Sequence, residues 1–412
     1  MAIGPTILQI IPRLDTGGAE LATIEITEAL TRAGGRSLVA TAGGRLADRI
    51  TESGGEIITF PAGTKNPLAL YANARALTRI IREQGVDLIH ARSRAPAWSA
   101  LLAARQTGIP FVTTYHGAYA ERGGLKRLYN SVMARADIVI ANSTYTGDLI
   151  KLRYGTPEQR IRVIHRGVDL ATFRPEAVSA ERVAARRQAW GVGLGVPVIL
   201  QAARLTGWKG QGVLIDAAAQ LQKRGQLGSA IVILAGDAQG RDGYGEDLRQ
   251  QAAAAGIGDL VRLVGHIDDV AAAYLAAHVT VVASVEPEAF GRAAIEAMAM
   301  GSPVIATAIG APPETIAAEP RVSTADVTGW LVPPGDAGAL AERLVMVLGM
   351  PEAERKAIGD RARAHVASRF TLENMKRATL AVYDELLGRG LEQRFLAATE
   401  STAMSARQHP QS

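Results

Sequence analysis

Short apolar segments alternate with helical patterns along most of the chain, and no other feature of the sequence restricts the fold as strongly. Strands that alternate with helices indicate parallel βαβ units, which build doubly wound sheets with helices on both faces. Because 412 residues exceed the size at which a single hydrophobic core keeps growing, we expect two such α/β domains. The predicted strands are residues 6–11, 37–41, 56–60, 87–91, 110–114, 137–141, 161–165, 198–202, 231–235, 261–264, 279–283, 304–306 and 330–332.

The composition excludes several classes of protein. The chain has no cysteine, which rules out disulfides, thiolate metal sites and cysteine nucleophiles. Its formal net charge is +5, but aromatic residues make up only 5% and no recognition motif accompanies the arginines, so we expect no nucleic-acid partner. Anionic small molecules or an anionic membrane surface fit this charge. Without an apolar run of roughly 18 residues or a signal-peptide pattern, the predicted location is the cytoplasm.

The turns that follow strands are the candidate binding sites, because ligands of doubly wound sheets bind beyond the carboxyl ends of the strands. Gly17 and Gly18 follow the first predicted strand and let a ligand approach the backbone at a helix N-terminus. His116 follows the strand at 110–114 and can reach into a cleft. Arg204 and Lys209 follow the strand at 198–202, where their charges can neutralise a diphosphate.

A basic amphipathic stretch occupies residues 121–135, after His116. Such a pattern is typical of a solvated helix face, and equally of a surface for a phosphorylated acceptor or an anionic lipid. The sequence leaves these alternatives open.

The segment 284–307 carries two carboxylates in unusual places. Glu288 lies in the turn after a predicted strand, and Glu296 lies in a helix that is apolar on nearly all sides, where a carboxylate is costly unless it is hydrogen-bonded. If one helix carried both residues, their spacing would separate them by about 12 Å along the axis. A hydrolytic carboxyl pair needs about 5 to 9.5 Å, so the spacing favours a long ligand that is held at two places.

This segment resembles the signature of the family 4 glycosyltransferases. The resemblance rests on Glu288 and Glu296, on Phe290-Gly291 between them, and on the sequence Ala-Met-Ala-x-Gly-x-Pro-Val that follows Glu296. It implies a retaining enzyme of the GT-B fold, with two Rossmann-like doubly wound domains facing each other across a cleft. In that family the first glutamate binds hydroxyl groups of the donor sugar, the backbone after Phe-Gly meets the diphosphate, and the second glutamate binds the ribose. The donor-binding residues implied here are Glu288, Ala289, Phe290, Gly291 and Glu296.

Other turns are similar to the same family. A Gly-Gly pair after its first strand lines the donor and acceptor cleft, and a histidine at the position of His116 contacts the transferred sugar. Its Arg-x4-Lys-Gly pair, which Arg204 and Lys209 match, grips the diphosphate and stabilises it as a leaving group. The resemblance therefore adds Gly17, Gly18, Arg204 and Lys209 to the donor-binding residues, and implies Glu288, His116, Arg204 and Lys209 as catalytic residues.

The predicted domain boundaries follow from the strand pattern and the resemblance together. Residues 1–175 are predicted to form the N-terminal acceptor domain, 176–195 a linker and 196–371 the C-terminal nucleotide-sugar donor domain. Enzymes of the GT-B fold end in a helix that crosses back onto the first domain, and we expect it at 372–390. The polar residues 391–412 predict a disordered tail.

The expected reaction moves a hexose from a nucleotide sugar to a glycan or glycolipid without a metal ion or other cofactor. No Asp-x-Asp metal motif precedes a phosphate loop, so Arg204, Lys209 and helix N-termini are expected to neutralise the diphosphate. The sequences at 113–119 and 125–131 look most like bacterial enzymes of lipopolysaccharide core synthesis, some of which use GDP-mannose, and this implies peripheral contact with the inner face of the membrane. Alternatives are a UDP-sugar-dependent transferase, a sugar-nucleotide epimerase of the same fold and a non-catalytic nucleotide-binding scaffold.

Overall fold

The chain forms two compact units. The computed structural model describes residues 4–15, 17–117, 119, 123–237 and 242–408. Unit 1 comprises Met1–His165 and Glu373–Ser412, and unit 2 comprises Arg166–Leu372. No helix in the described ranges combines the length and the apolar character that crossing a membrane requires.

Unit 1 is built on a parallel sheet of seven strands. Its strands are β1 (Thr6–Ile10), β2 (Arg36–Thr41), β3 (Glu56–Thr59), β4 (Leu88–Ala91), β5 (Phe111–Tyr115), β6 (Ile138–Ala141) and β7 (Ile161–Val163). They lie in the order β3-β2-β1-β4-β5-β6-β7, so the order reverses between β1 and β4, where α/β sheets bind ligands. All five residues of β1 are buried, because helices cover both faces of a parallel sheet.

The first six helices belong to unit 1. They are α1 (Gly18–Arg32), α2 (Asp48–Glu52), α3 (Pro67–Gln84), α4 (Arg94–Thr107), α5 (Gly124–Asn130) and α6 (Thr144–Tyr154). Local signals in the sequence set the bounds of α3. Asn66 Oδ1 accepts hydrogen bonds from the amides of Leu68 and Ala69, Pro67 occupies the first position, and Gly85 ends the helix in the left-handed conformation.

Unit 2 repeats the arrangement with a parallel sheet of six strands. Its strands are β8 (Val198–Ala202), β9 (Ile231–Ala235), β10 (Val261–Gly265), β11 (Val279–Val282), β12 (Val304–Thr307) and β13 (Trp330–Val332), in the order β10-β9-β8-β11-β12-β13. Its helices are α7 (Ala180–Ala189), α8 (Gln211–Lys223), α9 (Asp242–Ala254), α10 (Val270–Ala276), α11 (Arg292–Ala299), α12 (Pro312–Thr315), α13 (Ala337–Leu348) and α14 (Glu352–Arg369). All thirteen predicted strands are thus confirmed, with ends that differ by at most two residues.

The segment 176–195 is part of unit 2 and not a linker. It contains α7, whose Arg187 is buried and donates to the carbonyl oxygens of Ala276 at 3.0 Å and Val196 at 2.7 Å. The charged sequence that suggested a linker is therefore mostly the exposed side of a packed helix. The division between the units falls after His165, ahead of the predicted boundary at 175.

The chain ends in two helices, α15 (Leu372–Leu387) and α16 (Leu391–Gln408). From Glu373 onward they belong to unit 1, where the buried Lys376 of α15 pairs with Glu28 of α1 at 3.0 Å. The OH group of Tyr383 lies 2.7 Å from Nδ1 of His90 on β4, and burial raises the pKa of Tyr383 to about 12.

The prediction of a disordered tail at 391–412 was wrong for α16. Leu391 and Phe395 lie one turn apart and are both buried. The Asp384 carboxylate accepts hydrogen bonds from the amides of Leu391 and Glu392, both at 2.8 Å, so the first turn is capped. The polar composition concealed this apolar spacing. Residues 409–412 lie outside the described ranges.

Candidate functional site

An ion pair between Lys209 and Glu288 lies at the carboxyl ends of two adjacent strands of unit 2. Lys209 follows β8, and Glu288 follows β11. Lys209 Nζ contacts Glu288 Oε1, and the same oxygen accepts a hydrogen bond from Ser284 Oγ at 2.6 Å. Glu288 is only 7% exposed, so these two partners replace most of the water that a carboxylate needs. The structure thus brings two of the predicted catalytic residues into direct contact.

Backbone hydrogen bonds fix the turns that carry this pair. The amide of Val285 donates to the carbonyl oxygen of Trp208 at 2.8 Å, which joins the turn after β11 to the turn after β8. The amide of Ala311 donates to the carbonyl oxygen of Glu288 at 2.9 Å. Thr307 Oγ1 donates to the carbonyl oxygen of Ser284 at 2.7 Å. Three strand ends are therefore tied together around one carboxylate.

Two glycines allow these turns to approach each other. Gly210 has φ +71°, and a Cβ added there would lie 1.9 Å from the carbonyl oxygen of Ala283. Gly310 has φ +81°, and its Cβ would lie 2.2 Å from the carbonyl oxygen of Glu288. A side chain at either position would meet backbone atoms, which cannot rotate away. The geometry of the ion pair therefore depends on glycine at both positions.

Glu296 lies on α11 and has its own partners. Arg292 Nε lies 3.2 Å from Glu296 Oε1, and the Tyr274 hydroxyl donates to Oε2 at 3.4 Å. Burial, together with the neighbouring Glu296 carboxylate, raises the pKa of Tyr274 well above its usual value. Glu296 is half-buried, and these two contacts explain how the apolar helix tolerates it.

Glu288 does not share a helix with Glu296. The helix α11 begins at Arg292, after Gly291 in the left-handed conformation with φ +81°, and Glu288 lies in the preceding turn. The estimate of about 12 Å between the two carboxylates assumed that one helix carries both residues, and this assumption was wrong. Phe290 is buried against Phe370, with ring centroids 6.0 Å apart, and so anchors this turn to the core of unit 2.

The remaining residues predicted for unit 2 also lie in these turns. Arg204 follows β8, its side chain is exposed, and its carbonyl oxygen accepts a hydrogen bond from Gln211 Nε2 at 2.9 Å. Ala289 is half-buried between Glu288 and Phe290. The turns after β8 and β11 thus carry an exposed guanidinium, a partly buried ammonium and a buried carboxylate.

Unit 1 carries the other predicted residues, also at the carboxyl ends of strands. Gly17 precedes α1, Gly18 is its first residue, and the carbonyl oxygen of Gly17 accepts a hydrogen bond from the amide of Leu21 at 3.1 Å. His116 follows β5 directly and is half-buried. Residues 121 and 122 of the basic stretch lie outside the described ranges, and its helical part is the seven-residue α5 followed by a short 3-10 helix.

Two tyrosines, one before and one after His116 in the chain, pack together in unit 1. The ring of Tyr119 lies 4.6 Å from the ring of Tyr115, and the guanidinium of Arg94 lies 4.0 Å from the Tyr119 centroid. Burial raises the pKa of Tyr119 to about 12, although the Arg94 charge opposes this shift. Arg153 Nη1 donates to the carbonyl oxygen of Tyr119 at 2.6 Å. Two arginines thus contact Tyr119, one at its ring and one at its carbonyl oxygen.

Comparison with known proteins assigns the family. The model described as Glycosyltransferase Family 4 matches residues 16–172, and the model described as Glycosyl transferases group 1 matches residues 184–365. A D-inositol 3-phosphate glycosyltransferase of Saccharomonospora viridis is 30% identical over 362 residues, which cover 80% of this chain and 79% of that protein. The chain belongs to glycosyltransferase family 4.

Solved structures place this glycosyltransferase in the GT-B fold. A glycosyltransferase from Rickettsia africae is 33% identical, with a TM-score of 0.83 and coverage of 93% of this chain and 99% of that one. The Anabaena protein HepE, in complex with UDP and glucose, is 26% identical, with a TM-score of 0.79 and coverage of 93% and 100%. The fold expected from the sequence is therefore confirmed, and so is the enzyme class.

Three residues around the site of this glycosyltransferase were not predicted from the sequence, namely Ser284, Arg292 and Tyr274. Ser284 is the second residue after β11, a position at which polar side chains meet ligands, and Arg292 stands four residues before Glu296, the spacing of a helical ion pair. The position of Ser284 and the spacing of Arg292 can both be read from the sequence. Tyr274 is 22 residues from Glu296, and no local pattern connects them. Across the described ranges no three His, Cys, Asp or Glu side chains converge in a way that could hold a metal ion.

Proposed function

We propose that this glycosyltransferase transfers a hexose from a nucleoside diphosphate sugar to an acceptor hydroxyl, with retention of the anomeric configuration. The observation that carries the proposal is the ion pair of Lys209 and Glu288. It presents an ammonium, which suits phosphate oxygens, next to a carboxylate, which suits sugar hydroxyls, at the strand ends where α/β folds bind ligands. A donor that contains both groups matches this arrangement.

In this proposal the diphosphate lies against Arg204 and Lys209. Its negative charge grows as the bond to the sugar breaks, so two fixed cations stabilise the transition state more than the bound donor. Glu288 accepts hydrogen bonds from hydroxyls of the transferred sugar, and the backbone from Ala289 to Gly291 meets the diphosphate. Glu296, held by Arg292, accepts hydrogen bonds from the ribose.

The residues of unit 1 complete the proposed chemistry. Gly17 and Gly18 leave the backbone open to the donor and the acceptor, and His116 contacts the transferred sugar. The acceptor oxygen forms its bond to the anomeric carbon on the side from which the phosphate departs. The bond from that carbon to the phosphate oxygen breaks, and the phosphate takes the proton of the acceptor hydroxyl. No protein side chain is needed as a base in this scheme, and no metal ion is proposed.

We favour a UDP-hexose as the donor. The support is HepE, which is 26% identical to this chain over 93% of its length and was solved with UDP and glucose. The GDP-mannose considered in the sequence analysis is the second candidate for the donor.

For the acceptor, the name of the relatives favours a small phosphorylated polyol, because D-inositol 3-phosphate glycosyltransferases are 30% identical to this chain. A glycolipid of the cell envelope, reached by peripheral contact with a membrane, is the second candidate. It is favoured by α3, where Leu68 is 81% exposed and the exposed Arg75 follows two turns further along the helix. Apolar and cationic groups on one exposed helix suit an amphiphilic anion.

The first experiment is a thermal shift of the purified protein with UDP, GDP and ADP. A nucleotide at 100 times its dissociation constant adds about 2.7 kcal/mol to the free energy of unfolding, which is easily resolved. Stabilisation by UDP supports the preferred donor, and stabilisation by GDP alone replaces it with GDP-mannose. No stabilisation by any of them at millimolar concentration would contradict a UDP-, GDP- or ADP-sugar donor. Transfer assays with inositol phosphate and with envelope glycolipids then decide the acceptor.

A further inference from the structure

The helix α3 has an exposed face on which apolar and cationic side chains follow one another. The face consists of Leu68, Tyr71, Arg75, Arg79 and Arg82, which we call the α3 face. Leu68 is 81% exposed and Tyr71 is 57% exposed, and the three arginines are also exposed. Steps of three and four residues put all five on one stripe of the helix. The stripe is about 21 Å long, from an apolar end to a cationic end.

The three arginines of the α3 face have no side-chain partner within the described ranges. Other arginines of unit 1 do: Arg36 pairs with Glu56 at 2.7 Å, and Arg32 pairs with Glu28 at 2.6 Å. The only acidic residue of α3 is Glu83, one residue after Arg82. Glu83 offsets one of the three positive charges, so within the described ranges the face keeps a net positive charge that is available to an anion.

A groove runs beside the α3 face. It has a volume of about 670 Å³ and is lined by Tyr71, Thr78, the three arginines and Glu83 of α3 and by Gln106 of α4. Thr78 Oγ1 donates to Gln106 Oε1 at 2.8 Å, which fixes α4 against α3 at the floor of the groove. Three guanidinium groups around one depression suit phosphate oxygens.

We propose that the α3 face is a docking surface for an anionic phospholipid membrane. The arginines would meet lipid phosphates, while Leu68 and Tyr71 enter the boundary between headgroups and acyl chains, with the helix lying in the plane of the membrane. A membrane accounts for both ends of the stripe, whereas an acidic protein accounts only for the arginines. If the acceptor of the proposed function is a glycolipid, this docking would bring the enzyme to it. Vesicle binding can be measured without any transfer reaction.

The other basic surface of unit 1, on and after α5, is less available to a membrane. Arg127 Nη2 donates to the carbonyl oxygen of Arg153, and Arg135 Nε donates to Ser131 Oγ at 3.2 Å. The guanidinium of Arg135 also lies 5.3 Å from the ring of Trp98. These cations hold the local structure together, in contrast to the arginines of α3. They therefore provide a matched comparison of equal charge.

The test is co-sedimentation of the full chain with vesicles of phosphatidylcholine, with and without about one third phosphatidylglycerol. Two triple variants are compared with the unchanged protein: Arg75→Gln with Arg79→Gln and Arg82→Gln, and Lys126→Gln with Arg127→Gln and Arg135→Gln. Each removes three positive charges. Because each arginine near an anionic surface is worth about 1 kcal/mol, the α3 variant should bind anionic vesicles about 100-fold more weakly. Binding of the unchanged protein should also fall between about 0.1 M and 0.5 M salt.

The two variants distinguish membrane binding through the α3 face from membrane binding through positive charge anywhere on the protein. The proposal is supported if the α3 variant loses binding while the α5 variant keeps most of it. It is overturned if the unchanged protein ignores anionic vesicles, or if the α5 variant loses as much as the α3 variant. The nucleotide thermal shift of the same samples reports on folding and on the proposed function. A protein that binds UDP but no vesicles would refute the docking surface alone.

Discussion

The turns that follow the first strand of each unit both contain glycines, but the glycines serve different ends. In unit 2, a Cβ on Gly210 would lie 1.9 Å from the carbonyl oxygen of Ala283. In unit 1, a Cβ on Gly18 would have no atom within 4 Å, and the three atoms nearest to one on Gly17 would all belong to the side chain of Glu20. Glycine at 210 is therefore required by the packing of the protein itself, whereas at 18 it leaves the backbone open. The packing of the protein alone fixes the unit 2 turn, which we call the built turn. The unit 1 turn leaves space in which a ligand can approach the backbone, and we call it the open turn.

The largest effect is expected in unit 2, where the packed turns hold Glu288. Glu288→Ala should lower kcat by about 10³-fold or more, because the proposed hydrogen bonds to the transferred sugar are lost. Nucleotide binding should largely survive, since Arg204 and Lys209 remain. The measurement is transfer from the nucleotide sugar together with a UDP titration.

His116→Ala is the matched variant in unit 1. It removes one contact to the sugar from a side chain that follows β5, and should lower kcat by about 10²-fold. If instead Glu288→Ala lost nucleotide binding but transferred normally in the complexes that still form, the assignment of Glu288 to the sugar would be wrong.

The second prediction compares the glycines directly. Gly210→Ala should lower the free energy of unfolding by about 3 kcal/mol and remove the thermal shift with nucleotide, because the methyl group meets a backbone oxygen and the residue has positive φ. Gly18→Ala should change stability by less than about 0.5 kcal/mol, since it lies in α1 with space around it. Denaturant unfolding of both variants measures this difference. Equal losses at the two positions would refute the distinction between built and open turns.

The strands could be predicted from sequence because each is a short apolar run between turns, and burial on both faces demands that composition. The Glu288 and Lys209 turns were also predictable, since ligand sites follow strand ends. The ion pair itself could not be predicted, because its partners are 79 residues apart and meet only through the strand order β8-β11. The error at α16 has a different cause. Leu391 and Phe395 stand at helical spacing in the sequence, and this periodicity indicates α16 although the overall composition of the segment is polar.

The third prediction concerns the opposite end of β11. His278 precedes this strand and accepts a hydrogen bond at Nδ1 from the amide of Val198 at 3.2 Å. Burial, with the nearby charges of Arg355 and Arg187, lowers the pKa of His278 to about 4. The folded state thus favours the neutral ring, while the unfolded chain takes up a proton near pH 6.5. This contribution to stability is complete above pH 6.5 and is lost as the pH falls toward 4.

His278→Asn removes the titrating group and keeps an acceptor for the amide. Between pH 7 and about pH 4.5 the unchanged protein should lose about 1 to 2 kcal/mol more than the variant, after allowance for the partial exposure of the ring. Denaturant midpoints across this range provide the measurement. Parallel losses in the two proteins would mean that His278 does not set the acid sensitivity of unit 2.

The smallest expected effect is that of removing divalent metal ions. The proposed diphosphate site of unit 2 contains the fixed cations Arg204 and Lys209, and a bound metal would compete with them for the same phosphate oxygens. Transfer measured with EDTA should therefore match transfer with added Mg²⁺ or Mn²⁺ within about twofold. Lys209→Ala serves as the control, because losing one fixed cation should lower kcat by about 10²-fold whether or not metal is present. If EDTA abolished transfer by the unchanged protein, the charge of the leaving group would be carried by an ion. The built turn of unit 2 would then be a scaffold for that ion and not the source of the stabilisation.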